Sequence, residues 1–271
     1  MTTAIVSTSS TKDTPDQWFA AVLGGDLEKL KSFGTNFDIN TKYSGFTAIE
    51  VSMIKEDTSM MNYILTLKPN LNICSPGFSP LVFAVLKNDK ELVKLILDTG
   101  VYVDIPNEGG DTALSLSNDI EIVRLLLASG ADLEHVNHCH MSILAVAIYN
   151  RNVDKVRLLA EVGVEVDNNN KDYDISHLEM VLVGAYEPHN EEISNILIKH
   201  SDNLNSQLEY PADCTILQYV CKKGYTMLAH TLIKKGVDIN KTSRNTKTPL
   251  EIAVDGKWSE IIKMLTDAGA K

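Results

Sequence analysis

Seven aliphatic residues, Ile49, Leu81, Leu114, Leu144, Leu178, Leu217 and Leu250, recur along the chain at intervals of 32, 33, 30, 34, 39 and 33 residues. Each opens the same kind of segment, and the stretch from Phe78 to Gly100 shows it most fully. Ser79-Pro80 suits a helix start: the hydroxyl can accept from first-turn N–H groups, and proline at the first position gives up only an orphan donor. Leu81, Ala84 and Val85 form one short apolar face, Asn88-Asp89 interrupts it, and Leu92, Val93, Leu95, Ile96 and Leu97 form a second. Gly100 fits a left-handed helix end. Two short helices of this size cannot bury their own apolar faces. A unit of this content repeating about every 33 residues therefore predicts a stacked solenoid, in which each unit is covered by its neighbours.

The repeated segments also carry a family pattern: a turn, T-P-L-H-x-A, a short gap, a leucine-rich helix, G-A-D and V-N. It is echoed in Thr248-Pro249-Leu250, in Leu125-Leu126-Leu127-Ala128-Ser129-Gly130-Ala131-Asp132 and in Gly236-Val237-Asp238-Ile239-Asn240. From about residue 14 to the end the chain resembles an ankyrin-repeat protein, with several matches in phase. The tetratricopeptide repeat has a similar length but lacks the G-A-D-I-N turn. The resemblance implies an all-α repeat solenoid with β-turn or hairpin fingers and about eight stacked repeats. Their expected bounds are about 14–40, 41–73, 74–105, 106–135, 136–167, 168–205, 206–240 and 241–271 in a single domain, after a disordered leader over 1–13.

Trp18 and Phe19 are expected to fill the open N-terminal end, and the polar second helix with Lys257, Ser259, Glu260 and Lys263 to cap the other. Two repeats break the period. The fourth is shortened by three residues between Thr112 and Arg124, so its first helix or inter-helix loop is cut by about a turn. The sixth is expanded by four, and the surplus over Gly184–Asn190 is expected to bulge as a loop because Pro188 excludes a simple helix continuation.

Composition narrows the function classes. A net charge of −11 argues against nonspecific nucleic-acid binding and against anionic membrane surfaces. No apolar run approaches the roughly 18 residues that span a bilayer. Residues 1–13 lack a long apolar core and read neither as a secretory signal nor as a transit peptide. Cys74, Cys139, Cys214 and Cys221 follow no spacing pattern, which favours free thiols and a cytoplasmic setting, host cytoplasm included if the chain is a secreted effector. Charge is uneven: Lys222 to Lys247 carries a net +6 and Ala160 to Cys221 a net −10, an asymmetry that could orient a partner.

Chemical motifs are absent: there is no phosphate-binding glycine loop, H-E-x-x-H, G-x-S-x-G or paired C-x-x-C. His135, His138, Cys139 and His140 are all possible zinc ligands, but they crowd into one turn where successive side chains diverge. No cofactor is expected, and an enzyme or metal protein centred on this turn is the remote alternative. In a stacked array Leu126, Leu127, Leu158, Leu159, Ile196 and Leu197 are consumed as core. The resemblance implies a concave binding face made of finger tips and first helices. Tyr43, Phe46, Phe78, Glu108, Asp111, His138, Met141, Tyr173 and Ile175 map to the tips. Leu86, Lys87, Tyr149 and Asn150 map to the ends of first helices on the same side. Phe46 and Phe78 occupy equivalent positions, either as exposed interface anchors or folded back onto the hairpins. The expected function is a monomeric, non-catalytic scaffold for a protein partner, with no nucleic-acid partner and no membrane insertion. The alternative is a microbial or viral effector that masks a host protein with the same groove.

Overall fold

The computed structural model describes residues 15–35, 37–73, 75, 79–167, 169–170, 175–183, 188–208, 214–243 and 247–271. The expected leader lies outside them. Among the described residues, helices alternate in consecutive pairs: α1 (Pro15–Gly24) with α2 (Leu27–Ser32), α3 (Ala48–Ile54) with α4 (Thr58–Thr66), and α5 (Pro80–Leu86) with α6 (Lys90–Leu97). The series continues with α7 (Ala113–Leu116) and α8 (Ile120–Ala128), α9 (Ile143–Tyr149) and α10 (Val153–Glu161), and α11 (His177–Val183) and α12 (Pro188–His200). The last pairs are α13 (Ile216–Lys223) with α14 (Thr226–Lys235) and α15 (Pro249–Asp255) with α16 (Ser259–Asp267).

The caps follow two rules, one for each helix of a pair. First helices start on a hydroxyl: Thr47, Ser79, Ser142, Thr215 and Thr248 each accept from the backbone N–H three residues on. Thr47 with Glu50, Thr215 with Gln218 and Thr248 with Glu251 complete reciprocal capping boxes. Several second helices start on a carboxylate or amide, with Asp26, Asp57, Asp89 and Asn152 in that role, whereas α14 and α16 follow Tyr225 and Trp258, which make no side-chain cap bond. Between the two helices the chain turns through one left-handed residue, as at Glu56, Asn88, Arg151 and Gly224. The C-cap of α6 is Asp98, and Gly100 follows two residues later at φ 76° to make the left-handed exit.

Two compact units divide the chain. One takes in the described residues up to Ala113 together with Arg124–Ala131, and the other Leu114–Val123 with Asp132–Lys271. In the first unit α3 packs between α1 and α5, and α4 packs on α6. In the second, α10, α12, α14 and α16 stack in order, α9 packs on α11 and α13 on α15. The fully buried side chains are the apolar ones these faces share, among them Leu30, Ile64 and Leu81 in the first unit and Leu144, Leu159, Leu197 and Leu232 in the second. Each such aliphatic side chain contributes about 1.5–3 kcal/mol by leaving water. Of the expected core, Leu126, Leu158, Leu159, Ile196 and Leu197 are buried, whereas Leu127 is half-buried because it lies on the flank of α8. Trp18 and Phe19 are buried, with Trp18 stacked on Phe37 at 6.0 Å between ring centroids.

A second set of bonds ties several pairs to the next. Asn40 Oδ1 accepts from the Asn70 N–H at 2.7 Å, and Asn72 Oδ1 from Tyr102 at 2.8 Å. Asn205 Oδ1 accepts from Asp238 and Asn240 Oδ1 from Lys271, both at 2.9 Å. Asp167 takes the same role towards Asp202 at 2.8 Å. Asn40 and Asn240, which close D-I-N, and Asn72 and Asn205, which close N-L-N, are therefore inter-repeat clamps.

Both period breaks have a physical outcome. The shortened fourth pair loses its turn from the first helix, since α7 has 4 residues against 7 in α5 and α9. In the sixth pair part of the expected loop is helix. Residues 184–187 lie outside the described residues, but Pro188 begins α12, which runs for 13 residues. Proline at a first helical position is tolerated, so part of the surplus lengthens the second helix.

Candidate functional site

The fingers are tight backbone hairpins. Tyr43 and Phe46 exchange N–H···O bonds of 2.9 and 3.1 Å around Ser44 and Gly45, both at positive φ (52° and 90°). That is the left-handed pair a two-residue hairpin needs. Two further fingers share one design 30 residues apart. Asn107 N–H donates to Asp111 O and Asn137 N–H to Met141 O, and each asparagine Oδ1 accepts two more N–H groups inside its own turn. A two-residue antiparallel ladder, β1 (Asn169–Asn170) with β2 (Ile175–Ser176), forms another.

These turns place the expected tip residues. Glu108 and His138 are exposed, while Asp111 and Met141 are half-buried. Tyr43 is half-buried and its ring stacks on buried Phe19 at 4.5 Å, so it bridges the finger to the first helix pair. Phe46 is half-buried beside it. Ile175 stands in β2, and Phe78 and Tyr173 lie outside the described residues.

The expected first-helix residues sit at the other end of those helices. Leu86 ends α5 and Tyr149 ends α9, a seven-residue helix, or roughly 10 Å, away from the finger. Leu86 is 64% and Tyr149 76% exposed, and Lys87 and Asn150 follow them in the open. Lys87 pairs with Glu56 at 2.8 Å and lies 5.5 Å from the Phe83 ring centroid. An exposed pair of this kind adds little stability.

Two residues of the same type were missed in the sequence. Leu23 (51% exposed) lies one residue before the end of α1, and Ile54 (55%) ends α3 as Leu86 ends α5. In the first unit, then, three consecutive stacked helices each present one apolar side chain at the same position. Their spacings of 31 and 32 residues match the repeat period and were readable there.

The basic segment does not form one patch. Lys222 and Lys223 end α13, whereas Lys234 and Lys235 end α14, which runs back in the opposite direction after the turn at Gly224. The stretch that is contiguous in sequence is divided between opposite ends of a helix pair.

Chemistry is equally constrained. Ser142 and His177 meet, with Ser142 Oγ 2.8 Å from His177 Nε2 and His177 Nδ1 3.1 Å from Val166 O. The hydroxyl, however, also caps α9 by accepting from Ala145 N–H at 3.1 Å, and the imidazole is 3% exposed. Burial lowers the His177 pKa against the opposing effects of the Val166 bond and Asp167. The neutral ring with its proton on Nδ1 links two successive pairs, and no substrate reaches it. His135, His138, Cys139 and His140 flank Asn137, and no group of three or more metal-ligating side chains forms among the described residues. Cys139, Cys214 and Cys221 are not in disulfides, and burial pushes the Cys221 thiol up to about 12. Among the described residues no helix is long and apolar enough to cross a membrane.

Comparison with known proteins agrees with this architecture. Residues 180–271 match the profile of the family described as ankyrin repeats (3 copies). The B-cell lymphoma 3 protein homolog of Mus musculus is 26% identical over 192 residues, covering 68% of this chain and 42% of that protein. The B-cell lymphoma 3 protein of Homo sapiens is 27% identical over 192 residues, covering 68% and 41%. The chain thus spans about two-fifths of the length of these curated relatives. The crystal structure of the ankyrin repeat domain of Bcl-3, described as a unique member of the IkappaB protein family, superposes with a TM-score of 0.63 at 23% identity, covering 83% of this chain and 100% of that one. The human ASB11 ankyrin repeat domain gives 0.51 at 22% identity, covering 72% and 85%. Residues 180–271 thus carry ankyrin repeats, and the described helix pairs have the fold of an ankyrin-repeat domain.

Proposed function

We propose that this protein is a non-catalytic scaffold that binds a partner protein through the exposed ends of its first helices and the finger tips. The observation that carries this reading is the row Leu23, Ile54 and Leu86, which is more than half exposed on helices that spend most of their other apolar residues on stacking. Exposed apolar side chains in register contribute nothing to the core, yet they offer the desolvated anchors on which interfaces depend. Lys87 belongs to the same set in the first unit, and Tyr149 and Asn150 hold the corresponding helix end in the second. Tyr43, Phe46, Phe78, Glu108, Asp111, His138, Met141, Tyr173 and Ile175 form the finger set.

The test is affinity capture from cytosol with quantitative mass spectrometry, comparing the wild type with Ile54→Ser/Leu86→Ser. Proteins bound through this face are expected to drop about tenfold or more, since anchors of this kind each contribute about 1–2 kcal/mol or more. Lys90→Ala/Glu91→Ala, on the outer second helix, is the control and should leave capture unchanged. Unchanged capture by the serine variant with loss in the control would place binding on the outer face.

A further inference from the structure

The turn missing from the fourth helix pair leaves carbonyls where a longer helix would have bonded them. α7 is only four residues long, and the last carbonyls of a helix have no partner within it. Into this gap comes Lys155 from α10, with no exposed surface. Its Nζ lies 2.8 Å from Leu114 O, 2.7 Å from Ser115 O and 2.8 Å from Ser117 O. Three acceptors meet the three N–H donors of a primary ammonium. Among the described residues no carboxylate pairs with it. Asp154, Arg157 and Glu192 nearby are exposed, the last two pairing with each other at 2.6 Å, and half-buried Asp119 accepts from the Glu121 and Ile122 N–H groups at the start of α8. A second tie reaches the same segment from the cap of α10, where Asn152 Nδ2 donates to Asn118 O at 3.0 Å.

We infer that the Lys155 ammonium is a built-in plug: it supplies the donors that the deleted turn would have supplied, and it closes the truncated fourth pair through a carbonyl cage selective for a primary ammonium. An apolar side chain of equal length would fill the same volume but withdraw the Lys155 donors from three buried carbonyls, which is the costly half of the exchange. Arginine would carry the charge in a planar fork that does not match three converging acceptors. Burial pushes the amine's pKa down to about 7. The cage acts in the opposite sense, because a neutral amine has only two N–H groups for three carbonyls.

The experiment combines one measurement on the wild type with two variants. At pH 6 the Lys155 Nζ should give a slowly exchanging NH3+ resonance that Lys155→Met abolishes. Lys155→Met should also lower Tm by about 5 °C or more, as expected for loss of a buried set of bonds in a protein of this size. Lys155→Ala should regain Tm when n-propylammonium is added, since that ion carries the atoms the truncation removes, whereas propan-1-ol should restore little. Retention of the wild-type Tm by Lys155→Met would overturn the proposal. So would equal rescue by the alcohol, or exchange of the Lys155 protons as fast as those of surface lysines. If Lys155→Ala does not fold, the resonance and the methionine variant still decide the matter.

Discussion

Leu159→Ala lowers the unfolding free energy of the unit that contains Asp132–Lys271 by about 2–5 kcal/mol. Leu159 is fully buried on α10, a helix that packs on both α9 and α12. Truncation therefore removes apolar contact from two partners at once and leaves a cavity that neither rigid helix can close. The readout is specific because the chain has 2 tryptophans, Trp18 in one unit and Trp258 in the other. In a Trp18→Phe background, fluorescence against urea follows the second unit alone. Glu161→Ala, exposed on the same helix, is the control and should stay within about 0.5 kcal/mol. A Leu159→Ala curve that overlies the wild type would show that stacking of these pairs is not what holds the unit.

Glu50→Gln destabilises the first unit by about 2–3 kcal/mol and flattens its response to acid. Glu50 has no exposed surface, yet its carboxylate is fully used. One oxygen accepts from Thr47 N–H at 2.6 Å and Thr47 Oγ1 at 2.7 Å, and the other from Ser75 N–H at 2.5 Å. It thus closes its own capping box and reaches the next pair. An amide in its place points N–H groups at a donor. Burial raises the Glu50 pKa, but the bonds from Thr47 and Ser75 outweigh it and hold it below the ordinary value. A carboxylate whose folded pKa is depressed contributes stability that is present above its unfolded pKa of about 4.3 and lost as pH falls through the folded value. In a Trp258→Phe background, the wild-type urea midpoint reported by Trp18 should fall below about pH 4.3 more steeply than that of Glu50→Gln. Parallel slopes would remove Glu50 from the acid response.

Much of this was legible in the sequence because local chemistry fixes it. The interval of the seven aliphatic positions determined the stacked helix pairs, and Ser79-Pro80 and Asn88-Asp89 marked helix ends that the caps reproduce. The three-residue shortening before Arg124 was visible as a deficit, and α7 carries it. What fills that deficit was not visible, since Lys155 lies 41 residues beyond Leu114 and resembles any exposed helical lysine in its neighbourhood. Distance in the chain hid the Asn40 and Asn72 clamps in the same way, each reaching 30 residues on. Pro188 misled because a proline that stops one helix can equally start another. The basic cluster misled because a helical hairpin carries neighbours in sequence to opposite ends. Leu23 and Ile54 were within reach of the period, but an isolated exposed aliphatic residue carries no signal until its equivalents are aligned.

The central claim, that the first-helix ends and fingers are the binding face, is tested most directly by amide hydrogen exchange of the chain alone and in complex with a captured partner. Protection is expected around Met53–Asp57, Val85–Asn88 and Ile148–Asn152, and at the turns Tyr43–Phe46, Asn107–Asp111 and Asn137–Met141. Protection confined to the second helices, with Lys90–Lys94 and Asp154–Arg157 shielded while those turns exchange unchanged, would contradict it.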